Sequence, residues 1–121
     1  MKYMLDTNIC IFIIKKDENV LSQLKNIDFK KICISSITLS ELEYGVAKSM
    51  LYEKNKKALE DFVYNFSILP FDNDAAQEYG KIRADLEKIG NPIGSMDMLI
   101  AAHAKSQKLI LVTNNIKEFI K

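Results

Sequence analysis

An α/β fold, three layers deep with a central, mostly parallel sheet, is what this chain predicts, and three observations predict it. Short apolar runs alternate with stretches whose apolar residues recur at helical spacing, the pattern that builds parallel sheets covered on both faces. Leu109 to Val112 shows no polar alternation, as expected of a strand buried on both sides. The first apolar run, Tyr3-Met4-Leu5, ends on Asp6-Thr7-Asn8. That places a carboxylate at the carboxyl edge of the sheet, where open α/β folds carry their active crevice.

The elements follow in order. Tyr3 to Leu5 is the first strand, and Thr7 or Asn8 caps a short helix through Ile9 to Ile14. Beyond a polar stretch, Val20-Leu21 and Leu24 are spaced for a second short helix, and Ile32 to Ile34 is the second strand. The third helix starts at Thr38, with Leu39, Leu42, Val46 and Met50 at helical spacing. A Lys/Glu-rich helix from about Glu53 to Asn65 buries Leu59, Phe62 and Val63. Ser67-Ile68-Leu69 is the third strand, ended by Pro70. Asn73 caps the clearest helix, whose stripe Ala75, Tyr79, Ile82, Leu86 and Ile89 stops at Gly90. The turn Asn91-Pro92-Ile93-Gly94 feeds an apolar helix from Ser95 to Ser106, and Leu109 to Val112 is the last strand. With no repeat or linker, residues 1–121 read as one domain.

Composition narrows the classes. Hydrophobic residues make up 48% and charged residues 27%, the balance of a globular chain. A net charge of +1 does not single out a nucleic-acid binder, so any basic surface must come from clustering. Arg83 is the only arginine, which leaves phosphate contacts to lysine point charges. Lys15, Lys16, Lys48, Lys54, Lys56 and Lys57 are candidates to track an RNA backbone, although a solvated helix face has the same pattern. Cys10 and Cys33 sit among isoleucines and read as core residues, which fits a reducing cytoplasm. Asp6 and Asn8 interrupt the N-terminal apolar stretch, arguing against a signal peptide. No apolar run approaches the ~20 residues that span a bilayer, so a soluble protein is expected.

Two further acids share the address of Asp6. Glu41 lies in the first turn of the third helix and Asp97 in the first turn of the helix from Ser95. Parallel neighbouring strands bring Asp6 and Glu41 to one sheet edge, and Asp97 joins them if its helix starts there. Each acid alone has a structural role: Asp6 as a helix cap, Glu41 in a Thr-x-x-Glu capping box with Thr38, and Asp97 against a helix dipole. Gathered together, three carboxylates repel one another unless a cation or protons neutralise them. Oxygen donors without histidine or thiolate suit Mg²⁺ or Mn²⁺. His103, on a roughly opposite face of Asp97's helix, reads as a core or surface residue and not a ligand. An acid-held Mg²⁺ with open positions suits phosphoryl chemistry.

Asp6-Thr7-Asn8, followed by Ile34-Ser35-Ser36-Ile37-Thr38-Leu39-Ser40-Glu41-Leu42-Glu43-Tyr44-Gly45, resembles the PIN domain of VapC-type toxins. The likeness continues through Tyr79-Gly80-Lys81-Ile82-Arg83-Ala84, Pro92-Ile93-Gly94 and Asp97-Met98-Leu99-Ile100-Ala101-Ala102-His103-Ala104. It extends to Leu111-Val112-Thr113-Asn114-Asn115 and Glu118-Phe119, nearly the whole chain in order. The resemblance implies a Mg²⁺-dependent endoribonuclease, with Mn²⁺ able to substitute, that is the toxin of a toxin–antitoxin pair. Structured RNA, transfer RNA particularly, is the implied substrate. The family's metal-binding acids fall on Asp6, Glu41 and Asp97, with Asp6 and Asp97 as the metal ligands. A fourth catalytic position, often Asp in the family, falls on Asn115, whose amide adds no charge; one well-held ion is therefore expected, and Glu118 is placed to compensate in part. Thr7, Asn8 and Thr113 match polar positions around the family's site, and capping or turn chemistry explains them equally well. The implied partners are a VapB-type antitoxin whose tail enters the acidic groove, a second copy in a homodimer, and DNA only through the antitoxin. Ile11, Phe12 and Ile14 beside Met50-Leu51 are candidates for such contacts. The family commonly continues past Glu118-Phe119 with another short strand, so the outer sheet edge is expected to be shortened.

Rival readings fit less well. A phospho-receiver module wants paired acids after strand one and a Lys after the last strand, where Thr7 and Thr113-Asn114 stand. A phosphatase using Asp6 as nucleophile wants a second Asp where Asn8 stands. A catalytically weak or inactive PIN-like module acting through its partner remains the alternative, favoured by Asn115 and opposed by the three retained acids.

Overall fold

Four short strands, Tyr3–Leu5 (β1), Ile32–Ser35 (β2), Ser67–Leu69 (β3) and Ile110–Val112 (β4), lie all parallel in the order β3-β2-β1-β4. They come from a computed structural model that describes residues 1–90 and 93–113. Parallel neighbours need crossover connections, and helices supply them: Thr7–Ile14 (α1), Glu18–Leu24 (α2), Ser36–Ala47 (α3), Tyr52–Val63 (α4), Asn73–Lys88 (α5) and Ser95–Ser106 (α6). Leu5 pairs with Ile34 on one side and Val112 on the other, and Met4 with Cys33 and Leu111.

The two-residue period of a strand divides these side chains between two cores. Leu5, Ile32 and Ile34 pack with Ile9, Leu42, Leu59 and Phe62 beneath the α1–α4 layer. Met4 and Cys33 pack with Ile100 and Ala104 of α6 on the opposite face, with Ile37 against them. The α5 helix lies along α6, completing the expected three layers. Each fully buried Leu or Ile contributes roughly 1.5–3 kcal/mol, so the central strands β1 and β2 anchor the fold.

Asp6 caps α1, as its structural reading anticipated, while α3 and α5 start upstream of the caps expected at Thr38 and Asn73. Asp6, Asp17 and Asp72 accept from the backbone N–H groups of Ile9, Val20 and Ala75 at 2.9, 3.1 and 3.0 Å. Neither Thr7, Asn8 nor Asn73 is the cap; each lies inside its helix. Ser35 caps α3 by accepting from the Ile37 N–H at 3.0 Å, so this helix begins at Ser36 and not Thr38. An extended residue with a short oxygen-bearing side chain reaches the free N–H two or three positions on, and these residues satisfy that geometry first.

Three other expectations are corrected. β4 is not buried on both faces: it lies at an edge of the described sheet, with Ile110 52% exposed. Ile89 is exposed beyond the end of α5, where Gly90 turns the chain with φ +71°. A single 3₁₀ turn, Phe29–Lys31, precedes β2 and rests Phe29 on Phe66; three residues are too few to show periodicity. Among the described residues no helix is long and apolar enough to cross a membrane.

Ile34→Ala is expected to cost about 2–5 kcal/mol in urea unfolding, the range for emptying a fully buried aliphatic site. Ile110→Ala, on the half-exposed edge, is expected to cost about 1 kcal/mol or less.

Candidate functional site

The carboxyl edge of the sheet is built by the ends of β1, β2 and β4. Asp6 sits at the first of these. Its backbone N–H donates to the Val112 carbonyl at 3.1 Å, holding it to β4, and only 2% of the residue is exposed. Its Oδ1 accepts from Ile9 N–H, and its Oδ2 accepts from the Thr113 hydroxyl. Among the described residues no lysine, arginine or histidine pairs with it. Burial therefore pushes the Asp6 carboxyl above its usual range, opposed by the Thr113 hydroxyl and the Ile9 and Asn8 N–H groups. Burial, with the Asp6 charge second, drives the Cys10 thiol far up, and burial raises Cys33 to about 11. Both cysteines are free and buried, and such thiols stay protonated and unreactive.

Glu41 is half-buried in α3, and its Oε1 accepts the Thr7 hydroxyl at 2.5 Å. Thr7 opens α1 directly after Asp6, so one hydroxyl binds the second acid to the neighbour of the first. Thr38, the expected capping-box partner, instead buries an Oγ1 without a hydrogen-bond partner among the described residues. Glu43 faces away and pairs with Lys56 at 2.8 Å. Asn8 is exposed and contributes to Asp6 through its backbone.

Asp97 is half-buried in the first turn of α6. Because α6 leads into the amino end of parallel β4, it runs against the strands, and its first turn faces the same edge as Asp6. The Asp97 Oδ2 turns back toward Gly94, 3.4 Å from where a Cβ on that glycine would lie. An acid there meets the positive end of the helix dipole. Asn115 and Glu118 lie outside the described residues.

Asp6 and Glu41 are thus brought together through hydroxyls, and topology puts Asp97 on their edge. Among the described residues no three His, Cys, Asp or Glu side chains close into a metal cage. The donor chemistry nevertheless suits a hard dication. Every acid here offers oxygen, and Asp6 is a buried carboxylate with no cation among the described residues to offset it, which is costly unless an ion joins it. Magnesium commonly takes one or two carboxylates and keeps its waters, which matches a ligand pair better than a closed three-acid cage.

The lysines are divided. Lys57 pairs with Asp61 at 2.8 Å, as Lys56 does with Glu43, so this cluster is a solvated helix face. Lys48 lies over the Tyr44 ring. Lys15 lines a groove of about 370 Å³ whose walls include Ile11, Ile14, Leu42, Val46 and Leu59, and Glu41 lines it as well. Ser35 and His103, joined at 2.8 Å beneath this edge, were not anticipated as partners; the only sequence signal was a serine ending an apolar strand and a histidine set among alanines.

A family model described as PIN domain matches residues 3–121. The chain is 48% identical over 119 residues to the tRNA(fMet)-specific endonuclease VapC of Shigella flexneri, covering 98% of this chain and 90% of that protein. This chain belongs to the PIN domain family, in its VapC-type branch. Its PIN domain is also 46% identical to Ribonuclease VapC2 of Haemophilus influenzae, with coverage of 98% and 90%. Among solved structures it matches DNA-bound VapBC from Salmonella typhimurium with a TM-score of 0.94 at 46% identity, over 100% of this chain and 92% of that one. FitAcB from Neisseria gonorrhoeae gives 0.88 at 31% identity, over 98% and 91%. The three-layer parallel architecture is therefore that of the family.

In this PIN domain the raised Asp6 carboxyl has a defined sign in stability. The cost of the buried charge is present above the folded pKa and disappears as the pH falls through it toward the ordinary 3.8. Asp6→Asn keeps an oxygen for the Ile9 N–H and removes the charge. Its melting temperature at pH 7 is expected to exceed the native one by a few degrees. That gap is expected to shrink as the buffer is acidified through the raised pKa, as differential scanning calorimetry would record.

Proposed function

We propose that this chain is a metal-dependent endoribonuclease, the toxin of a VapBC-type pair, working as a single domain in the cytoplasm. The observation that carries the reading is the buried Asp6 carboxylate, which has no counter-cation among the described residues and stands at the sheet edge that Glu41 and Asp97 share. Asp6 and Asp97 hold a Mg²⁺ or Mn²⁺ ion in this reading. Such an ion polarises a phosphodiester and lowers the pKa of a bound water. Thr113 and the N-terminal N–H groups of α1 orient Asp6 and favour its ionised form against the cost of burial, and Thr7 orients Glu41. Glu41 is placed to accept a proton from the attacking water, and the family resemblance assigns Asn115 a catalytic position and Glu118 a supporting one.

The substrate we infer is structured RNA, transfer RNA in particular, as the name of the Shigella flexneri relative prints for that protein. The partner is a VapB-type antitoxin, through which the pair meets DNA, in line with the DNA-bound complex from Salmonella typhimurium. The Ile11–Leu59 groove beside Glu41 has the apolar walls a bound antitoxin segment needs. Met50 and Leu51, exposed by 99% and 61%, offer further apolar surface, and a homodimer completes the assembly.

Purified chain free of antitoxin is expected to cleave total RNA in Mg²⁺ and to stop in excess chelator. Asp6→Asn and Asp97→Asn are each expected to lower the rate by about 10²-fold or more, the scale of losing a group that acts on the transition state. Cleavage that survives chelation, or that both variants retain at the native rate, defeats the assignment. Antitoxin binding without any cleavage favours the partner-binding module instead.

A further inference from the structure

Ser35 and Ser36, adjacent at the junction of β2 and α3, reach into two different elements. Ser35 is fully buried, and its Oγ accepts from the Ile37 N–H while meeting His103 Nδ1 at 2.8 Å. Ser36 Oγ accepts from the Phe71 N–H at 3.0 Å. Phe71 in turn sets its ring against the edge of His103, with centroids 5.5 Å apart. One corner thus joins the start of α3, the third turn of α6 and the segment linking β3 to α5. The two helices it joins are those that carry Glu41 and Asp97.

The hydrogen bonds select a protonation state. A hydroxyl has one proton to give. Since Ser35 Oγ already accepts from Ile37, its proton is free for a bare Nδ1, which leaves the imidazole proton on Nε2. Nε2 itself is buried without a hydrogen-bond partner among the described residues. The opposite tautomer would leave the Ser35 proton without a partner among the described residues. His103 is fully buried, and burial lowers its pKa against the pull of Asp72 and Pro70, so the ring stays neutral.

We propose that His103 is a positioning residue for RNA cleavage, holding α6 and α3 in register through Ser35 and so setting where Asp97 and Glu41 stand at their shared sheet edge. The inference rests on the proposed ribonuclease reading. His103 touches neither substrate nor ion; it acts through the two helices.

The test compares two amides. His103→Asn can place an oxygen where Nδ1 stands and still accept from Ser35, whereas His103→Gln carries its amide past that point, toward the position of Nε2. In single-turnover cleavage at saturating protein, His103→Gln is expected to lose about 10²-fold, the scale of a roughly 1 Å misplacement. Half-saturating RNA is expected to shift less than about 2-fold, since the loss falls on the chemical step. His103→Asn is expected to stay within about 5-fold of native at a melting temperature close to that of His103→Gln. Native rates in His103→Gln, or equal losses in both variants, overturn the proposal. A readout without cleavage separates it from the parent reading: nitrogen-15 spectra of the native imidazole at pH 7 are expected to show Nδ1 bare and Nε2 protonated. The amide signals of Glu41 and Asp97 are expected to move together in His103→Gln and much less in His103→Asn. If native chain fails to cleave RNA while these spectra come out as expected, the ribonuclease reading fails and the junction stands. A protonated Nδ1, or unmoved Glu41 and Asp97 signals, removes the junction whatever the RNA does.

Discussion

A negative charge held almost out of water at the end of β1 is the constraint from which the rest of the molecule follows. Asp6 is 2% exposed, and what surrounds it is dipolar: a backbone N–H at the start of α1 and the hydroxyl of Thr113. Dipoles reduce the cost of burying a carboxylate without cancelling it. The same residue caps α1 and fixes β1 to β4 through its backbone. Structural and proposed chemical uses of Asp6 therefore do not compete; the cap aims the oxygens that the proposed chemistry would use. Keeping such a site lowers stability where function requires it, a common trade in enzymes.

Around that charge, hydroxyl groups organise the edge. Thr7 reaches Glu41, Thr113 reaches Asp6, Ser35 reaches His103, and Ser36 reaches the chain after β3. Each serine or threonine lies at the carboxyl end of a strand or the opening turn of the helix that follows. Strands of three or four residues leave little sheet to orient the helices, so these side-chain bonds carry much of the orientation. The match to VapC-type structures over essentially the whole chain extends to the backbone that carries these side chains.

Periodicity in the sequence carried most of the fold. The strands at Tyr3, Ile32 and Ser67 and the helix from Ser95 are legible because apolar residues recur at two or at three to four, and because Pro70 and Gly90 punctuate them. Helix starts were less legible. Thr7, Asn8, Thr38 and Asn73 are all good caps by residue type, yet an extended Asp6, Ser35 or Asp72 just upstream reaches the free N–H groups first. The edge exposure of β4 was hidden because a short apolar run looks the same at the middle and the rim of a sheet. At the site, Asp6, Glu41 and Asp97 were visible as acids at strand and helix boundaries. The Thr7–Glu41 and Ser35–His103 bonds were not, because they join residues distant in sequence and leave no periodic trace. Lys56 and Lys57 could be a basic cluster or a solvated helix face in sequence, and their partners Glu43 and Asp61 show the latter.

The paired serines at residues 35 and 36 also limit how this chain can change length. Connections between strands and helices usually tolerate an inserted or deleted residue, since they run over the surface. Here a one-residue slip between Ile34 and Ile37 would hand each hydroxyl the other's direction, uncoupling α6 and the β3–α5 segment at once. Indels should therefore be admitted around residues 15–17 or 48–51, where the chain passes between helices, and be refused at this corner.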